Sequence, residues 1–157
     1  MEFYLQDSAA TEALGKIIGR YASDGDVYCL NGDLGAGKTL LSRGIAVALG
    51  VSADSVNSPT FAIMNIYQGE KMEIRHFDLY RLNSSEELTD IGFDEYAGGD
   101  GVTLIEWAEL FSEHLPDEYL NITLLHERSG RKVLLQAKGK RYEKLLVEVE
   151  KDVDFVD

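Results

Sequence analysis

Three stretches of the chain repeat apolar residues at helical spacing. Leu14, Ile17, Ile18 and Tyr21 share one face, Leu41, Ile45, Ala48 and Leu49 a second, and Tyr142, Leu145, Leu146 and Val149 a third. Apolar side chains three and four positions apart form one stripe of a helix, so this pattern predicts three amphipathic helices. The first is expected to take Ser8 as its N-cap, with Glu12 one position beyond the usual capping-box distance, and to end near Gly25. The second stops at Gly50, and the third runs into an acidic tail, Asp152, Asp154 and Asp157, expected to fray.

Between these stripes lie shorter apolar or alternating runs that read as strands. They are EFYLQ near the start, VYCLNG (Val27–Gly32), VTLIEW at 102–107, and two pairs. FAIMNIYQ and MEIRHFDLY are joined by GEK, and YLNITLLH and KVLLQAK flank the turn ERSGR, so each pair reads as a hairpin. SSEEL opens a further helix with Ser84 or Ser85 as cap and acids in its first turn, where they favour the helix dipole. WAELFSEHL supplies a helical turn or two, closed by Pro116. The order of elements predicts an α/β fold with a mixed, mainly parallel central sheet and antiparallel hairpin additions, its ligand at the carboxyl ends of the strands.

Composition narrows the class. A chain of 157 residues, 45% hydrophobic, is enough for one core, and no linker, repeat or low-complexity block divides it, so residues 1–157 read as one unit. No apolar run approaches the roughly 18 residues of a membrane span, and MEFYLQDS lacks a leader pattern, so the expected location is the cytoplasm. The lone Cys29 falls in a predicted strand and reads as a small buried hydrophobe.

Charge changes the picture further. The net charge is −13, and between Arg81 and Arg128 there are twelve Asp and Glu residues and no Lys or Arg. Nucleic-acid binding relies on basic groups that neutralise phosphates, so direct contact with RNA or DNA is not expected of this stretch. Two readings of it stay open, a solvated acidic surface and a docking face for a basic partner.

Candidate chemistry begins at Gly32. From there the chain reads GDLGAGKT, the full G-x-x-x-x-G-K-[ST] spacing, ending in Gly37, Lys38 and Thr39. Glycines let successive backbone N–H groups turn inward as a nest for phosphate oxygens, the lysine adds a point charge, and the threonine hydroxyl can ligate Mg²⁺. The strand before and the helix after supply the context this mechanism needs, with the helix dipole aimed at the same anion. The candidate nucleotide-contacting run is therefore Asp33, Leu34, Gly35, Ala36, Gly37, Lys38, Thr39 and Leu40.

A second carboxylate directed at Mg²⁺ is expected at the end of an apolar strand, and Glu106 stands there after VTLI. An ordinary strand-end acid is its alternative. Asp78, flanked by Phe77, Leu79 and Tyr80, is either catalytic or one half of a structural ion pair. Thr60, in VNSPTF, either senses a γ-phosphate or belongs to a proline-stiffened turn. His76, His114 and His126 lack metal-ligand spacing and are assigned no metal.

GDLGAGKT, NSPTF, HFDLYRL and LIEW, in this order within one short chain, resemble the bacterial TsaE family, and the similarity covers nearly the whole chain. The resemblance implies an ATPase of tRNA threonylcarbamoyladenosine biosynthesis, with ATP and Mg²⁺ as cofactors. It implies an accessory motor that joins a TsaB–TsaD pair and reaches tRNA only through those partners. On that resemblance Lys38 and Thr39 hold phosphate and metal, Glu106 is the second metal-directed carboxylate, Asp78 is required for turnover, and Thr60 lies in a switch-like loop. Trp107 sits beside the site, and Arg131, with Ser8 and Thr11, approaches the nucleotide from the opposite side. Two other classes share the glycine loop. A small-molecule kinase would need an arginine-rich lid, which the stretch after Arg81 cannot supply. A nucleotide sensor that does not hydrolyse would have no use for Glu106 and Asp78.

Overall fold

The computed structural model describes residues 1–33, 35–57 and 62–153. Its centre is a seven-stranded sheet in the order β1 (Glu2–Leu5), β7 (Gly130–Lys138), β6 (Tyr119–Glu127), β2 (Val27–Gly32), β5 (Val102–Glu106), β4 (Glu73–Asp78) and β3 (Met64–Gln68). The four inner strands β6, β2, β5 and β4 run parallel, and β7, β1 and β3 pair antiparallel at the two sides. Both expected hairpins form.

Alternation along β2 explains why the sheet needs cover on both faces. Tyr28 and Leu30 enter a core with α1 (Ser8–Arg20), α2 (Lys38–Ala48) and α5 (Lys140–Val153). Val27 and Cys29 enter the opposite core, closed by α3 (Ser85–Asp90), α4 (Phe93–Tyr96) and the 3-10 segment Ala108–His114. A period of two with both faces apolar is what a central parallel strand requires.

Helices α1 and α2 touch backbone to backbone. A Cβ added to Gly15 would lie 2.3 Å from Leu41 O, and one added to Gly44 would lie 2.2 Å from Glu12 O. That close approach sets the start of α1 against the glycine loop that precedes α2.

Three expectations need correction. The N-cap of α1 is Asp7, whose side chain accepts from Ala10 N at 2.8 Å, rather than Ser8. That helix ends at Arg20, well short of Gly25, because the Tyr21 N–H already turns back to Ile18 and Gly19 carbonyls. Asp152 does not fray: it lies in the last turn of α5 and binds Arg20 at 2.8 Å and the Tyr21 hydroxyl at 2.7 Å. Residues 154–157 lie outside the described residues.

Candidate functional site

The glycine loop leaves the carboxyl end of β2 and turns directly into α2. Gly32, Gly35 and Gly37 hold φ of 138°, 76° and 109°, a region side-chain-bearing residues rarely enter. At Gly32 there is also no room, since a Cβ would lie 2.2 Å from Leu124 O. Gly37 is the N-cap of α2 and offers no side chain to the first amides of that helix, which leaves them directed into the loop.

Lys38 is the first residue of α2 and is almost fully buried. Its ammonium donates to Gly32 O and, at 3.3 Å, to Asp33 O, and it lies 3.7 Å from the centre of the Trp107 ring. Burial pushes its pKa below the ordinary lysine value, while the negative charges of Glu106, Glu109, Asp78 and Asp33 pull it back up. Thr39 and Leu40 are half-buried, and Asp33 and Gly35 are exposed.

Sheet register brings the two candidate carboxylates together. Glu106 pairs with Leu30 of β2 on one side and with Asp78 of β4 on the other, so β4 and β5 end at one level and β2 runs two residues further into the glycine loop. Glu106 is 2% exposed and Asp78 3%. Asp78 Oδ1 accepts from Tyr80 N at 3.0 Å, a local turn that orients the carboxylate. Trp107 follows Glu106 with φ of 61°, and its ring lies 4.8 Å from that of Tyr80. A bulky residue held at positive φ directly after a buried acid is backbone strain of the kind that gathers at functional sites.

On the other side of the loop a cavity of about 400 Å³ is lined by Asp7, Ser8, Thr11, Gly37, Leu40 and Arg131, with Gln6, Gly35, Ser129 and Gly130 completing its wall. The structure thus brings Ser8, Thr11 and Arg131 together beside the glycine loop. Arg131 grips the loop itself: Nε donates to Ala36 O at 2.9 Å and a terminal nitrogen to Gly35 O at 3.0 Å. Gln6, Asp7 and Ser129 were not singled out from sequence. Their signal is position alone, since they flank residues that were.

Sequence reasoning also set aside His76, which the fold places against Glu106 at 2.5 Å. Metal-ligand spacing was the wrong test for it, because the contact crosses from one strand to its neighbour. Leu34 and Thr60 lie outside the described residues. Among the described residues no cluster of three or more His, Cys, Asp or Glu could hold a metal by itself, and no helix is long and apolar enough to cross a membrane.

The fold and this edge define an α/β protein whose glycine loop joins a central parallel strand to a helix, with two buried acids at the ends of neighbouring strands. The family model described as "Threonylcarbamoyl adenosine biosynthesis protein TsaE" matches residues 5–133. The chain belongs to the TsaE family. It is 44% identical over 142 residues to the tRNA threonylcarbamoyladenosine biosynthesis protein TsaE of Bacillus subtilis, covering 88% of this chain and 87% of that one. It is 40% identical over 114 residues to the protein of the same name in Treponema pallidum, covering 73% and 83%. Among solved structures it superposes on Bacillus subtilis YdiB with a TM-score of 0.80 and 34% identity, over 97% of this chain and 95% of that one.

Proposed function

We propose that this protein is a Mg²⁺-dependent ATPase of tRNA threonylcarbamoyladenosine biosynthesis, acting as an accessory subunit to TsaB–TsaD-like partners. One observation carries the reading: Lys38, anchored in the glycine loop, is buried within reach of the charge of Glu106 and Asp78, two buried acids paired in register on neighbouring strands. A cradle for phosphate beside two acids suits a polyphosphate and a hard cation together. Neither half explains the other's cost of burial.

The loop amides and Lys38 bind the phosphates, and Lys38 must release Gly32 O to do so. Thr39 and Glu106 are the residues that would hold Mg²⁺. Their donors fit it, because a hydroxyl and one or two carboxylates are what this ion takes from protein when phosphates and water fill its other positions. Bound there, the ion would neutralise charge that develops on the transferring phosphoryl group. Asp78 orients the attacking water from the neighbouring strand end. Arg131 keeps the loop in shape through its carbonyls, and the cavity beside Ser8 and Thr11 accommodates the nucleoside.

The first test is calorimetry with ATP, with and without Mg²⁺. Lys38→Ala removes a charged hydrogen-bond donor worth about 1.5–3 kcal/mol, so ATP affinity should fall roughly 10- to 100-fold. Thr39→Ala should weaken binding with Mg²⁺ more than binding without it. Unchanged affinity in the lysine variant overturns the reading. Radiolabelled ATP with the partner proteins present should give free phosphate; a phosphorylated small molecule would instead make the protein a kinase.

A further inference from the structure

Glu106 could fail its proposed task in a simple way. A glutamate has three side-chain torsions, and the Lys38 ammonium lies near enough to feel the charge of this one. If Glu106 swung onto Lys38, the pair would neutralise the charge that phosphate needs and occupy the oxygens that a metal needs. Among the described residues Lys38 forms no salt bridge with it, and its ammonium meets carbonyls and the Trp107 face instead. Something holds the carboxylate elsewhere.

That anchor is visible in the sheet. His76 is fully buried on β4, two residues before Asp78 and on the same face, and its Nε2 lies 2.5 Å from Glu106 Oε2 on β5. Among the described residues it is the one hydrogen-bond partner of the Glu106 carboxylate. On the far side of the ring, Nδ1 lies 3.1 Å from the Tyr67 hydroxyl, which comes across the hairpin from β3. That hydroxyl in turn donates to Asn57 O at 3.0 Å. A backbone carbonyl, a phenol, an imidazole and a carboxylate thus form one line that ends at the site. Each ring is fixed at two points, and the last member has its rotamer chosen for it.

We propose that His76, oriented by Tyr67, is a positioning residue that holds the Glu106 carboxylate away from Lys38 in the rotamer that serves Mg²⁺ and nucleotide. The inference rests on the ATPase reading above. It explains why a histidine precedes the aspartate of HFDLYRL: strand alternation aims both side chains at the same strand end, one directly and one through Glu106. Partners of this kind, behind the group that meets the ion, commonly set metal affinity by 10- to 100-fold.

The test separates positioning from mere neutralisation of a buried acid. In the full chain, ATP binding is titrated against Mg²⁺ by calorimetry, and kcat and KM are measured with partner proteins. His76→Leu should raise the Mg²⁺ concentration for half-maximal effect by about tenfold and lower kcat, and it should also weaken ATP binding without Mg²⁺, because the released Glu106 then reaches Lys38. His76→Gln, whose amide can donate from near the Nε2 position, should restore most of the loss. Tyr67→Phe deletes one hydroxyl and should give a smaller shift of the same kind, and it decides the matter if His76→Leu does not fold. If these variants lower the melting temperature but keep the parental Mg²⁺ dependence, His76 is structural only and the proposal is overturned. A parent with no Mg²⁺ dependence would overturn the ATPase reading, and this one with it.

Discussion

Two buried acids sit at opposite ends of the parallel strands, and their surroundings differ. Asp26, just before β2, is 3% exposed and saturated with donors. It accepts from Ser23 N at 2.9 Å, from the Tyr28 hydroxyl at 2.7 Å, and from Arg141 at 2.9 and 2.7 Å. Arg141 also donates to Tyr21 O, and the Tyr142 hydroxyl accepts from Val27 N. Glu106, at the end of β5, is as buried, but its carboxylate has one hydrogen-bond partner among the described residues and the charge of Lys38 close by. An acid whose lone pairs are filled has nothing left to bind a ligand with, whereas one with spare oxygens beside a phosphate-type loop is placed for chemistry. Burial alone therefore marks neither role; the number of donors separates them.

The largest expected effect concerns the saturated end, at high pH. Burial pushes the Cys29 thiol up from 9.0 to about 12 and the Tyr142 phenol up from 10.0 to about 12, and it also raises Tyr28, helped by Asp26. Each is raised on folding, so the folded chain holds more protons above the unfolded pKa values, and stability is lost as pH climbs toward 12. At 1.36 kcal/mol per unit, Cys29 accounts for about 4 kcal/mol and Tyr142 for about 3 kcal/mol at most, on the scale of a whole domain's stability. Denaturant unfolding followed by circular dichroism should be level up to pH 9 and collapse between 9 and 12. Tyr142→Phe should be weaker at pH 7, with Val27 N unpaired, yet lose less on the alkaline side. A level profile to pH 11 would mean this edge is far wetter than its geometry implies.

Next come paired amide substitutions that break the comparison directly. Glu106→Gln keeps shape and should leave melting nearly unchanged while lowering ATP turnover by about 100-fold, the lower range for loss of a positioned catalytic group. Asp26→Asn should do the reverse, costing about 2 kcal/mol because a charged acceptor of several hydrogen bonds becomes a neutral one. Its nucleotide affinity should match the parent. Melting curves and phosphate release on the same two preparations give the four numbers, and any crossing of the two patterns breaks the division of roles.

The sequence made the fold legible wherever periodicity was strong. Short continuous apolar runs in VYCLNG and VTLIEW identified the central strands, and the helical stripes of α1, α2 and α5 enter the core at Leu14, Leu41 and Tyr142, with Ala48 left half-buried. Caps were less legible: Asp7 and Ser8 are both good N-cap residue types, and it is Asp7 that keeps an extended backbone and accepts from Ala10 N. Within the site, the glycine loop was readable because its residues are contiguous. The bond between His76 and Glu106 joins residues thirty positions apart, and it depends on the parallel register of β4 with β5, which no local spacing encodes.

The smallest expected effect concerns the acidic stretch between Arg81 and Arg128. Its helix α3 and the short α4 after it display Glu86, Asp90, Asp94 and Glu95 to solvent, with Leu88 and Phe93 turned into the core beneath. Glu87 is different: its carboxylate accepts from Asn83 N at 2.7 Å and so caps the start of α3. A charge-reversal test that included Glu87 would confuse docking with a lost cap, so the informative variant is Glu86→Lys, Asp90→Lys and Asp94→Lys together. If these acids steer a basic partner of the TsaB–TsaD kind, the effect lies in the rate of encounter more than in final affinity. Association measured at low and at physiological salt should slow as salt rises, because surface charges are screened beyond about 8 to 10 Å. The triple variant should slow association further and lose that salt dependence, with ATP affinity as in the parent. A rate that ignores both salt and charge reversal would leave these acids as a solvated face, and the partner's docking surface would then have to be sought around the exposed Tyr80 and Leu110 beside Trp107.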